Sequence, residues 1–303
     1  MSKHRLALRL GALGAIAALS LTACGGGNDA DEAIGDDVKT VTIGVADGAE
    51  SYWQVYKKKV KEETGVDVKF KNFSDYNQPN KALDNGELDM NEFQHLQYLA
   101  NSNVKQDQTL QPITATAVYP LPLYSTKYDS VEDFKEGDKV AIPNDPVNSA
   151  RSLGVLSEAG LIELKKPFST VTTIADLDKD KSKVEVVPVD AKQTAQQVDG
   201  LAGAIVNNNY ATAAKLSDDD IVTADDPNSD VAKPYINIFV VREKDKDNKT
   251  LKEVADLYHD PEVEKAIVKD LGEGGVFKTN DPKDLQDTLA QIEKDIKDNG
   301  GAE

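Results

Sequence analysis

The chain has 303 residues, 39% hydrophobic and 29% charged, enough to bury one large core or two moderate ones. Its formal charge of −18 excludes the basic footprint of a nucleic-acid binder and would be repelled by an anionic bilayer surface. One cysteine and three histidines leave no intramolecular disulfide and no multi-histidine zinc site.

Lys3, Arg5 and Arg9 precede the apolar run Leu10 to Leu21. That run falls short of the roughly 20 residues a bilayer span needs, but suits the centre of a signal peptide, so residues 1–23 are predicted to be one. It ends in Leu21-Thr22-Ala23-Cys24, which resembles the bacterial lipobox. The resemblance implies cleavage before Cys24 and a lipid (a diacyl group, with palmitate) on its sulfur. The globule would then be anchored outside the cytoplasmic membrane. Gly25 to Asp37 is Gly- and Asp-rich, so residues 24–38 read as the lipidated cysteine and a flexible tether, with a reach of about 20 Å.

The folded part opens with a strand at Val41–Val45, a helix at Tyr52–Glu63 stopped near Gly65, and a strand at Val66–Phe70. A short helix around Asn80–Leu83, a turn at Asn85-Gly86 and strands at Leu88–Met90 and Ile113–Val118 follow. Strands alternating with helices predict parallel β-α-β units in an α/β layer fold. Tyr119-Pro120-Leu121-Pro122-Leu123 breaks the pattern, since two prolines cannot both sit in a sheet interior, and marks a crossing between two lobes.

The second series starts at Ser130-Val131-Glu132-Asp133, which resembles a capping box. A strand at Val140–Ile142 leads into a helix that Asp145 caps, Pro146 begins and Gly160 stops. Strands at Val184–Val187 and Ala202–Val206 flank a helix near Gln193–Val198, and Asp218–Asp230 reads as an acidic loop. The apolar run Tyr235–Val241 would carry the chain back to the first lobe. Two helices close the sequence: Asp260-Pro261 to Gly272, then one from Asp281-Pro282 with Leu285, Leu289, Ile292 and Ile296 on one face. The expected organisation is lobe 1 at 39–121 and 238–303, and lobe 2 at 122–237.

No nucleophile elbow, phosphate loop or dinucleotide fingerprint is present, so no cofactor is expected. A calcium loop beginning at Asp176 fails, because Lys181 stands where its glycine belongs and Val187 where its closing acid belongs. His4 lies in the leader and His259 is expected to be exposed, which leaves His95. One helical turn would stack His95 on Tyr98, with Phe93 in the lead-in and Tyr76 able to join the same wall. The plain alternative is an aromatic core cluster. Arg151 would lie a turn and a half into its helix, near the unpaired N–H groups, where a small carboxylate or phosphate can be held. The alternative there is a simple ion pair. Asn148 shares that turn. Asn207 follows a strand end and offers a donor and an acceptor, though asparagine also favours turns. Asn237 interrupts an apolar strand, where a buried amide needs partners. Most of these residues fall at C-terminal strand ends, the ligand edge of open α/β sheets.

Several motifs occur together in one order: Gly48-Ala49-Glu50, Phe73-x-Asp75-Tyr76-x-x-Pro79-Asn80, Phe93-Gln94-His95-x-x-Tyr98-Leu99, Asn144-Asp145-Pro146-x-Asn148-x-x-Arg151, Asn207-x-x-Tyr210-Ala211 and Pro234-Tyr235-x-Asn237. The stretch from Val41 to Lys278 thereby resembles the methionine-binding lipoproteins of ABC importers, the MetQ/NlpA family. The resemblance implies a two-lobed periplasmic-binding-protein fold (type II) with a ligand cleft between the lobes, an ABC permease and its ATPase as partners, and no catalysis. Arg151 would grip the ligand carboxylate, with Asn148 nearby. Asn207 and Asn237 would bond the ammonium and carboxylate. Tyr76, Phe93, His95 and Tyr98 would line the side-chain pocket. Glu92 departs from the family pattern, where a small residue is common, and the helix after Asp281 looks like an extension. Three alternatives stay open at this point: a receptor for another small amino acid or a methionine-containing dipeptide, a surface-anchored hydrolase using His95, and a structural or adhesive surface protein whose pocket is vestigial.

Overall fold

The computed structural model describes residues 32–299, so the leader, Cys24 and the first part of the tether lie outside the described residues. The chain runs β1 (Thr40–Val45), α1 (Tyr52–Thr64), β2 (Asp67–Asn72), α2 (Pro79–Asp84), β3 (Met90–His95), α3 (Leu96–Gln106), β4 (Gln111–Ala115) and β5 (Ala117–Val118). It continues through β6 (Pro122–Tyr124), β7 (Asp138–Pro143), α4 (Pro146–Glu158), β8 (Val184–Val189), β9 (Gly203–Ile205), α5 (Asn208–Ala214) and β10 (Ile221–Ala224). It ends with β11 (Asn237–Val241), α6 (Lys249–Asp256), α7 (Pro261–Leu271), β12 (Val276–Phe277) and α8 (Pro282–Asp298).

Two five-stranded sheets result, ordered β2-β1-β3-β11-β4 and β10-β6-β9-β7-β8. In the first, β1 lies parallel to β2 and β3, while β11 runs antiparallel between β3 and β4. In the second, β7 is parallel to β8 and β9, and β6 is antiparallel to β9 and β10. β11 completes the first sheet only after the chain has built the second, so the chain passes between the sheets twice.

Apolar residues cover both faces of each sheet, and strands such as β7 and β11 accordingly carry short continuous apolar runs, whereas β2 alternates. Trp53, Tyr56 and Val60 of α1 recur at helical spacing and pack with Val41, Ile43, Val45 and Phe239 on one face of the first sheet. Leu96 and Leu99 of α3 and Leu285, Leu289, Ile292 and Ile296 of α8 cover the other. α4 covers one face of the second sheet through Leu153 and Leu156. α1 ends at Gly65, whose φ of 73° is the left-handed cap conformation that glycine adopts without a Cβ penalty.

Several expected elements differ in detail. The strand expected at Ile113–Val118 splits at Thr116: β4 stays in the first sheet, while β5 turns away to pair with β12. The acidic loop at Asp218–Asp230 contains the edge strand β10, because Ile221 to Ala224 is a short apolar run inside it. The helix near Gln193 is a 3-10 stretch, Ala191–Gln197. Ser130 forms no cap; its hydroxyl donates to the Asp133 carboxylate at 3.0 Å. His259 is not exposed, since its ring bonds the Ala115 carbonyl at 2.8 Å and Glu264 at 2.9 Å. The tether, expected to be free to about residue 38, is held from Ile34 onward. Ile34 is buried, its N–H donates to Asp245 at 2.7 Å, and Asn248 donates to its carbonyl at 2.7 Å.

β3 is the most consequential difference. It runs to His95, so Phe93 and His95 sit on a strand, not a helical turn. Its polar residues hid it: Asn91 and Gln94 are buried, but Asn80 satisfies both, with Asn91 Nδ2 and Gln94 Nε2 donating to its Oδ1 at 3.0 and 2.6 Å.

A ligand cavity between the two sheets

The C-terminal ends of β1, β3, β7 and β9 converge on one cavity, which encloses about 760 Å³ of empty space, open solvent included. All eight expected site residues line it: Tyr76, Phe93, His95, Tyr98, Asn148, Arg151, Asn207 and Asn237.

Arg151 is 6% exposed and held from three directions. Nε donates to Asp225 Oδ2 at 2.6 Å, and Nη2 donates to Asp225 Oδ1 at 3.1 Å and to the Tyr119 carbonyl at 2.8 Å. Its guanidinium carbon lies 4.3 Å from the centre of the Tyr235 ring. Nη1 has no protein acceptor among the described residues. A guanidinium so clamped keeps its fork orientation and has one nitrogen left for an incoming carboxylate. Asp225, which the sequence left in a loop, is the residue that sets this geometry. It also accepts from the Leu121 N–H at 2.7 Å, which ties the grip to the first crossing segment.

The helix start before Arg151 is formed as its sequence dictates. Asp145 caps α4, accepting from the Asn148 N–H at 2.8 Å, and Pro146 begins the helix. Asp145 thus fills part of the anion site that the helix end would offer. The Asn148 side-chain oxygen accepts from Asn207 Nδ2 at 3.1 Å, while Asn207 Oδ1 is buried with no partner among the described residues. Asn237 Nδ2 donates to the Ala117 carbonyl at 3.1 Å, so its oxygen is the atom left over.

The aromatic wall forms by a different route from the one expected. Phe93 and His95 come from β3 and Tyr98 from the first turn of α3, where His95 itself is the N-cap, its Nδ1 accepting from the Tyr98 N–H at 3.2 Å. Ring centres lie 6.0 Å apart for Tyr76–Phe93, 6.0 Å for Tyr76–Tyr98 and 5.9 Å for Phe93–Tyr98. Burial, then the nearby Arg151 charge, pushes His95 down to about 3, so its imidazole is neutral at ordinary pH. With Nδ1 accepting, the ring proton sits on Nε2.

Contacts bridge the cleft. The Tyr76 hydroxyl donates to Asn209 Oδ1, Tyr210 donates to the Ser74 carbonyl at 3.5 Å, and Lys192 lies 3.4 Å from Asp75.

One end of the cavity was not anticipated. Asp47, Tyr52, Glu92, Tyr119 and Tyr258 line it. Asp47 accepts from the Tyr52 hydroxyl at 2.7 Å and the Trp53 indole at 2.9 Å. Glu92 Oε1 accepts from the Thr116 hydroxyl at 3.0 Å. Burial, and next the Asp47 charge, raises Glu92 to about 8, and burial raises Asp47 as well. The available signals were Glu92's departure from the family pattern and an acid two residues past the end of β1.

Two α/β sheets crossed twice by the chain, with a polar and aromatic cleft at their C-terminal strand ends, define a two-lobed ligand receptor of the periplasmic-binding-protein type II class. Residues 41–280 match the model of the NlpA lipoprotein family, and the chain belongs to that family. It is 35% identical over 278 residues to the D-methionine-binding lipoprotein MetQ of Salmonella typhi, covering 90% of this chain and 98% of that one. The fold is similar to the substrate binding protein of a methionine transporter from Streptococcus pneumoniae (TM-score 0.73, 30% identity, 79% of this chain and 96% of that one). It is also similar to a nutrient binding protein from Burkholderia cenocepacia bound to methionine (TM-score 0.73, 34% identity, 78% and 99%).

Proposed function

We propose that this chain is the substrate-binding lipoprotein of an ABC importer, capturing free methionine between its lobes and delivering it to a permease driven by an ATPase. The observation that carries the reading is the convergence of Arg151, the three asparagines and the four rings on one inter-sheet cavity. Arg151 takes the carboxylate through Nη1. Asn207 Oδ1 and Asn237 Oδ1, the side-chain oxygens without protein donors among the described residues, take ligand N–H groups, and Asn148 orients Asn207. Tyr76, Phe93, His95 and Tyr98 receive the thioether, at roughly 0.3–1.5 kcal/mol per sulfur–ring contact. Lobe 1 comprises residues 39–121 and 238–303, and lobe 2 residues 122–237. Cys24 carries the lipid that holds the receptor at the outer face of the cytoplasmic membrane. The relatives described above are binding proteins, and the hydrolase alternative is set aside with them.

The test is calorimetry with methionine. Arg151→Ala alone would strand the Asp225 carboxylate, so it is paired with Asp225→Asn. The double variant is expected to stay folded and lose affinity by about 100-fold or more, the scale of a charge-assisted bond pair. Unchanged affinity would sink the carboxylate role.

A further inference from the structure

The cavity offers more than a carboxylate grip and an aromatic wall. At its lobe-1 end, Glu92 is 7% exposed, and only one of its carboxyl oxygens has a protein donor, the Thr116 hydroxyl at 3.0 Å. No donor among the described residues reaches Oε2, while Glu92 lines the cavity. Asp47 beside it has both oxygens taken, by Tyr52 and Trp53. Asp47, Tyr52, Tyr119 and Tyr258 line the cavity with Glu92, and the one cation in that lining, Arg151, is paired with Asp225. A buried acid pair with no cation is costly to ionise, and a ligand that brings the missing charge relieves that cost.

We propose that Glu92, backed by Asp47, is the subsite for a protonated amine of the ligand, so that the cavity offers its guest an acid as well as the Arg151 guanidinium. This rests on the reading of the cavity as an amino-acid site and adds to it a second, charge-selective contact. Two sources carry the same chemistry: the α-ammonium of any amino acid, or the basic end of a side chain. In the empty receptor Glu92 is held neutral by burial and by Asp47, so an arriving cation displaces its proton to solvent and leaves a paired carboxylate. Asp47, Tyr52, Tyr56, Tyr119 and Tyr258 are the other titratable groups facing it. The four phenols are pushed upward and stay neutral throughout the range in which Glu92 ionises.

The experiment measures binding of methionine, its 2-hydroxy analogue and lysine to the purified chain and to Glu92→Gln, with melting curves as a folding check. The α-ammonium source predicts that the hydroxy analogue binds at least about tenfold more weakly than methionine. Glu92→Gln then weakens methionine by a similar factor and leaves the analogue unchanged. A side-chain source predicts that lysine binds better than methionine and is the ligand weakened by Glu92→Gln. In the unaltered chain, affinity for the amine ligand rises by about tenfold or more between pH 6 and pH 8 as the proton becomes easier to displace. This readout needs no variant. Equal affinity for methionine and its hydroxy analogue with a flat pH profile, or a Gln variant that binds methionine and lysine as before, overturns the subsite while leaving the amino-acid reading standing. No binding by any of the three overturns that reading and the subsite with it.

Discussion

Arg151 is held as much for orientation as for charge. Removing Asp225 would leave a guanidinium buried without its fork partner, and breaking such a pair costs about 3–5 kcal/mol. The buried acid Glu92 and the imidazole of His95 make opposite demands on pH. Glu92 binds its proton more tightly folded than unfolded. Its contribution to ligand-free stability is therefore fully present below about 4.5 and lost as pH rises through about 8. His95 is depressed to about 3, so its contribution is present above about 6.5 and lost as pH falls through about 3. Glu92→Gln removes only the first effect. Melting of the ligand-free variant, relative to the unaltered chain, is expected to shift in the variant's favour as pH goes from 5 to 9. A constant difference across that range would mean that Glu92 titrates like an exposed acid. At this scale the residues that line the cavity were largely legible: Asn237 interrupts an apolar strand, Asn207 follows a strand end, and Arg151 sits near a helix N-terminus. Asp225 did not, because one aspartate among many acids carries no sequence mark of the guanidinium it meets 74 residues away.

At the scale of elements, the clearest sequence signals were caps. Asp145, Asp260 and Asp281 each precede a proline, and each side chain accepts a backbone N–H from the first turn of its helix. The sequence ends this strand at Met90 and expects a helical turn at His95–Tyr98, whereas β3 runs on to His95, because tertiary partners such as Asn80 make Asn91 and Gln94 tolerable inside a sheet. Only the first turn of α3 is legible, at His95–Tyr98, because the rest of its sequence is rich in Asn and Gln and its apolar stripe is short. α8 shows the opposite case. Its stripe was read directly, and the structure packs it on α3 and β4 with Leu289 1% exposed. Leu289→Ala is expected to cost about 2–5 kcal/mol in denaturant unfolding, with methionine affinity largely retained because α8 contributes nothing to the cavity lining. A loss under 1 kcal/mol would mean that α8 is dispensable.

At the scale of the molecule, two chain crossings join the sheets, and the prolines at 120 and 122 betrayed the first of them. The second was legible as an apolar strand, although it starts at Asn237 and not at Tyr235, after a 3-10 stretch. Contacts that bridge the cleft include those of Tyr76 with Asn209 and Tyr210, of Tyr210 with Ser74, and of Lys192 with Asp75, a largely solvent-facing pair worth about 0–1 kcal/mol. Small-angle scattering is expected to show a smaller radius of gyration with saturating methionine than without it. Identical curves would mean that the cleft does not close on its ligand.

The docking of Ile34 bears on how the receptor meets its transporter. With the lipid on Cys24 as proposed, ten residue steps separate the anchor from Ile34, and a fully extended chain of that length reaches about 35 Å at most. Asp245 and Asn248 then act as a mooring: the body swings about a point beside the first sheet and does not drift on a long line. On the proposed lipid anchor, such a leash would confine the search for a permease to a thin layer above the bilayer. It would raise the local concentration of receptor at a transporter without any added affinity between them.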